Sequence, residues 1–176
     1  MADTISMPTG LRPPHRLAQL GELSLPLDLL RFGLQWPRLV TAPRGGQAFT
    51  LIGWSLGGII AREVARLSPH LVREVITMGT PIIGGPKYTT PGQRYAQSAN
   101  IKLDQFEREV HQRNSIGFDQ PLTVLYSDRD GIVGPDIARD IYNPQARNIR
   151  VDGGHMGMGF NPKVWRIIAD TLAGRT

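Results

Sequence analysis

The chain contains no cysteine. That absence excludes disulfides, iron–sulfur clusters, thiolate zinc sites and cysteine nucleophiles. It also lacks any apolar run approaching the roughly 20 residues needed to cross a bilayer, so stable membrane insertion is not expected. The opening stretch, MADTISMPTGLRPPHR, has no apolar core behind a charged start, so it does not read as a secretory signal, and the expected location is cytoplasmic. Aromatic residues are scarce, at 7%. The 20 Lys+Arg outnumber the 15 Asp+Glu, giving a net charge of +5, but they are scattered from Arg12 to Arg175. Without a basic cluster or interleaved aromatics, nucleic acid is not an expected partner.

What remains is ordinary for a globular domain. The 176 residues are 40% hydrophobic and suffice for one domain with a real core. Residues 1–47 read as a leader followed by a helical segment, and residues 48–176 as the core. Leu23, Leu27, Leu30 and Leu34 share one helical face within residues 17–40, with Phe32 and Trp36 close by. Packing on the rest of the fold is the favoured reading of that stripe, and an interfacial or dimer helix the alternative. AFTLIGW (48–54) then reads as a short buried strand, and the residues after it as a helix closed by Pro69. Further strands are expected over 72–79, 121–128 and 147–153. Helices are expected over 103–114, 135–142 and 162–172, the last with Asn161 as N-cap and Pro162 at its first position. Residues 80–100, rich in Pro and Gly, read as irregular. Strands alternating with helices mean βαβ units and a parallel sheet.

The chemistry concentrates at the first strand–helix junction, Gly53-Trp54-Ser55-Leu56-Gly57, which is G-x-S-x-G. So sharp a turn strains the backbone at Ser55 and leaves no room for side chains two positions away, which is what glycines at 53 and 57 avoid. The hydroxyl is then presented at the carboxyl end of the sheet, beside a helix N-terminus able to steady an oxyanion. A serine needs a base, and the base an orienting group. Asp130 follows the third strand in YSDRDGIV, and His155 follows the fourth in VDGGHMG, in the chain order Ser, Asp, His that this elbow uses. Strand-end loops bring both to the edge where open α/β sheets carry their sites. Of the other histidines, His70 and His111 read as surface residues and His15 lies in the leader. Asp128 is close enough to substitute for Asp130, while Asp152 is expected to face elsewhere.

These residues resemble the α/β-hydrolase family, and specifically its bacterial esterases and lipases. IGWSLGGIIAREVARLSPHLVREVITMGTP is similar to the family's nucleophile strand, elbow, helix and next strand. PLTVLYSDRDGIVGP is similar to its acid strand, which favours Asp130, and VDGGHMGMGFNPKVWRIIADTL to its histidine loop and last helix. The resemblance runs from about residue 48 to the end and implies a reduced, mostly parallel sheet flanked by helices, shortened on its N-terminal side. It implies a serine esterase working through Ser55, Asp130 and His155, with the N–H of Leu56 as one oxyanion donor. The second donor is open among Gly45, Gly46 and the backbone of the 80–86 loop. Lacking it would cost about 3–4 kcal/mol of transition-state stabilisation. Trp54, Ile82, Ile83, Tyr88 and Met156 are expected to line the substrate pocket, with Tyr95 in the same loop as Tyr88. A short chain with little cap suggests an open, shallow site for short-acyl or polymeric esters. An inactive binding module and an acyltransferase with the same triad are the competing readings. No cofactor or metal is implied. An exposed edge at AFTLIGW would favour a dimer or larger oligomer.

Overall fold

The computed structural model describes residues 8–12, 48–92 and 102–175. The expected helix over 17–40, the candidate donors Gly45 and Gly46, Tyr95 and His15 lie outside the described residues.

The elements run β1 (Phe49–Trp54), α1 (Leu56–Leu67), β2 (Val72–Met78), α2 (Leu103–Asn114), β3 (Leu122–Tyr126), α3 (Pro135–Ala138), β4 (Ala146–Arg150), α4 (His155–Met158) and α5 (Pro162–Leu172). Short 3-10 turns occupy Pro69–Leu71 and Gly85–Tyr88. The four strands pair in sequence order, β1-β2-β3-β4, and every pairing is parallel. Parallel neighbours need crossovers, which α1, α2 and α3 occupy.

Side chains alternate across a strand, and the core divides accordingly. Val75 of β2 and Leu122 and Val124 of β3 pack with Ala61 and Ala65 of α1. Their neighbours Ile76 and Leu125 pack with Val164 and Ile168 of α5. The sheet is therefore covered on both faces, as parallel sheets require. β3 and residues 75–78 of β2 are almost wholly buried, each strand having a neighbour on both sides.

β1 differs from its expected burial. It stands at one end of the described sheet, with Phe49 62% exposed and Ile52 also exposed. The helix expected over 135–142 ends at Ala138. Asp140 stops it by turning its Oδ1 onto the N–H groups of Tyr142 and Asn143, at 2.8 and 2.7 Å, the local bonding by which aspartate competes with a helix. α5 begins as its sequence suggests, with Asn161 Oδ1 accepting from the N–H of Lys163 at 2.9 Å.

Candidate active site

Ser55 sits between β1 and α1 with φ 55° and ψ −122°, and it is the one positive-φ residue other than glycine among the described residues. A side chain in that region is strained, and such strain is held only where surroundings enforce it. Here the Ser55 N–H is pinned to the Met78 carbonyl at 2.8 Å. Gly53 is needed as expected, because a Cβ there would lie 2.4 Å from Gly58 Cα. Gly57 is not needed for space, since a Cβ there would meet nothing within 4 Å. The second tight position is Gly58, where a Cβ would fall 1.9 Å from Thr80 Oγ1.

Asp130 and His155 come together at the same sheet edge. His155 Nδ1 lies 2.7 Å from Asp130 Oδ2, with the two side chains 3% and 0% exposed. The other carboxylate oxygen accepts the N–H groups of Ile132 and Val133 at 2.8 and 2.7 Å. Those two bonds fix the carboxylate, and the carboxylate orients the imidazole through Nδ1. Asp128, the alternative acid, turns outward to Arg150, and Asp152 is exposed. His70 is exposed, whereas His111 is half-buried against the Tyr142 hydroxyl at 3.1 Å, less superficial than expected.

Two residues that the sequence did not single out support this pair. Gly79, at φ 51°, follows β2, and a Cβ there would stand 2.9 Å from Asp130 Oδ2 and 3.0 Å from His155 Nδ1. Ser127 donates its hydroxyl to the Gly153 carbonyl at 2.7 Å and accepts from the Arg129 N–H at 3.0 Å. It thereby ties the loop carrying Asp130 to the loop carrying His155. Gly79 carried no more signal than a strand end, and the partner of Ser127 lies 26 residues away.

Beside Ser55 opens a cavity of about 580 Å³, within the size range of small-molecule sites. One wall is a face of α1, Leu56, Ile59, Arg62 and Glu63, and the facing wall is Leu103, Phe106, Val110 and Arg113 of α2. Both sets repeat at the 3–4 spacing of a helix face. Pro81, Ile82, Ile132 and Val133 contribute between them.

Of the five side chains expected to line the pocket, Ile82 does so. Trp54 instead packs into the α5 side of the core, its ring 5.9 Å from that of His155. Ile83 is buried in the α1 side of the core. Tyr88 turns its hydroxyl to Glu107 at 2.6 Å. Met156 is partly exposed and off the cavity wall. In the 80–86 loop, the N–H groups of Ile82 and Ile83 are both given to the Ile137 carbonyl, at 2.8 and 3.0 Å, and Pro81 and Pro86 have none to give. No group of three or more metal-ligating side chains occurs among the described residues, and no helix among them is long and apolar enough to cross a membrane.

No family model matches the chain, and no curated protein matches it. Solved structures do. Carboxylesterase CesB from Bacillus subtilis is 15% identical, with a TM-score of 0.55 over 74% of this chain and 61% of that one. Alpha/beta hydrolase domain-containing protein 10 from mouse is 20% identical, with a TM-score of 0.51 over 81% of this chain and 66% of that one. An alpha/beta hydrolase from the sediment metagenome of the Mar Chica lagoon, Morocco, is 15% identical, with a TM-score of 0.51 over 83% and 67%. The chain has the α/β-hydrolase fold, and it spans about two thirds of the length of these structures.

Proposed function

We propose that this chain of α/β-hydrolase fold is a serine hydrolase of carboxylic esters. The observation that carries the reading is one constellation at one sheet edge. Ser55 is held at φ 55° between strand and helix, and a buried Asp130–His155 pair stands 2.7 Å apart. The carboxylesterase among the structures of similar fold is consistent with it.

In the first step Ser55 Oγ attacks the ester carbonyl while His155 Nε2 takes its proton. Asp130 steadies the imidazolium through Nδ1. The oxyanion accepts the N–H of Leu56, the first residue of α1, whose opening amides have no partner within the helix. Collapse returns the proton from Nε2 to the departing alkoxide and leaves an acyl-serine. Water, deprotonated by the same nitrogen, releases the acid and restores Ser55.

The test is hydrolysis of p-nitrophenyl butyrate by the wild type beside Ser55→Ala. The wild type is expected to turn over, with kcat lower by about 10⁴-fold or more in the variant, the scale on which nucleophile loss acts. Equal rates in the two proteins would sink the reading.

A further inference from the structure

Ser55 and Leu56 line the cavity, whereas His155 and Met156 are not on its wall. That division assigns the two halves of an ester. The leaving alkoxide takes its proton from His155 Nε2, so the alcohol half lies on the imidazole side of the serine. The acyl half stays bonded to Ser55 Oγ, and the cavity is the space beside that bond.

The walls nearest Ser55 are apolar. Leu56 and Ile59 of α1 face Phe106 and Val110 of α2, with Ile82 and Ile132 between them. The α2 wall is fixed in place. A Cβ on Gly85 would stand 3.0 Å from Phe106 and 3.2 Å from Val110, so both side chains press on the turn after β2. Lys87 of that turn pairs with Asp104 at 2.7 Å, and the Tyr88 hydroxyl donates to Glu107 at 2.6 Å. Charge begins two turns along α1. Arg62 pairs with Asp140, and Glu63 pairs with Arg66 and with Arg113 near the end of α2. Arg62, Glu63 and Arg113 all line the cavity. An alkyl chain that reaches them displaces water from charged groups, which is unfavourable. The apolar stretch from Ser55 to Arg62 therefore has a definite length, about 10 Å along the axis of α1.

We propose that the cavity is the acyl site and takes an unbranched alkyl chain of about eight carbons, matched to the helical rise from Ser55 to Arg62. The substrate is then an ester of a medium-chain monocarboxylic acid. Ile59 and Val110, one turn before the ion pairs, are the last apolar contacts and set the length. This rests on the esterase reading, which makes Ser55 the point of attachment. It replaces the short-acyl expectation, because a short chain leaves Ile59 and Val110 in contact with water.

Occupancy is tested without catalysis by titrating two uncharged acyl amides, butanamide and octanamide, calorimetrically into the wild-type protein. Octanamide is expected to bind at least about tenfold more tightly, a modest share of what four buried methylenes can give. Val110→Trp and, separately, Ile59→Trp fill the far part of the apolar stretch, and each is expected to erase most of that advantage while thermal melting shows a folded protein. Equal binding of the two amides, binding of neither, or an advantage that survives both substitutions overturns the proposal. The length limit is read from kcat/KM on p-nitrophenyl butyrate, octanoate and dodecanoate. The expected result is a rise of at least about tenfold from butyrate to octanoate and no further gain with dodecanoate. A continued rise to dodecanoate overturns the limit set by the ion pairs. Cleavage that depends on Ser55 but is fastest with butyrate leaves the esterase reading standing and removes the medium-chain acyl site. Selective binding of octanamide with no cleavage that depends on Ser55 keeps the alkyl site and removes the catalytic reading.

Discussion

Gly79 shows how little room the Asp130–His155 pair is given. Its positive φ costs a residue with a side chain about 1–2 kcal/mol. A Cβ would in addition stand 2.9 Å from one partner and 3.0 Å from the other, closer than either can accept without shifting. Gly79→Ala is therefore expected to displace the imidazole, and shifts approaching 1 Å cost about 10²-fold in rate. Steady-state kinetics on a p-nitrophenyl ester should show the loss in kcat rather than KM, while thermal melting shows a folded protein. Unchanged kcat would mean that the pair is not held by this contact. The meeting of Asp130 with His155 and the turn at Ser55 were legible in the sequence because each residue sits in a local pattern that announces a turn at a strand end. The roles of Gly79 and Ser127 were not legible there, because their meaning lies in what the fold brings against them. Trp54 and Met156 stand off the cavity wall because closeness in sequence to Ser55 or His155 does not say which way a side chain turns, and Ile83 and Tyr88, expected there from their place in the irregular 80–100 loop, turn to the core and to Glu107.

At the scale of elements, period and capping were readable where the segments were long. α2 and α5 occupy the residues that their apolar spacing marks, and Asn161 caps α5. α4 was not legible because it is four residues long, three of them glycine or methionine, with no period to read. The helix α1 separates two glycines that look equivalent in sequence. Gly57 opens onto empty space, so Gly57→Ala gains helix propensity, up to about 1 kcal/mol. Gly58 faces the buried Thr80, and a Cβ at 1.9 Å from its hydroxyl oxygen forces α1 away from the loop after β2, at about 1–3 kcal/mol by the usual cost of overpacking. Urea denaturation of the two variants is expected to move the midpoint in opposite directions. A loss at Gly57 matching that at Gly58 would show that the elbow needs Gly57 for space, as the five-residue pattern alone suggests.

At the scale of the whole molecule, the described residues form a sheet with Ser55, Asp130 and His155 at its carboxyl end and an exposed flank beside its first strand. β1 stands at that flank. Phe49 is 62% exposed there, and the outer stripe of α1, Ile60, Val64 and Leu67, is exposed with it. A strand edge of this kind presents unpaired backbone groups to any similar edge, and natural proteins normally blunt it with charge or cover it. Among the described residues of β1 there is no charged side chain to do so. A second copy meeting the first across a two-fold axis would pair β1 with β1 in antiparallel fashion and bury both helical stripes, the closed arrangement most homo-oligomers adopt. We propose on this ground that the chain self-associates. Light scattering on the eluting protein should give a mass of at least twice 19.4 kDa, and Ile52→Lys, which places a charge on the exposed edge, should shift it toward the single chain. A wild-type protein that elutes as a monomer at micromolar concentration removes the proposal, and would mean that this apolar flank is already covered within one chain.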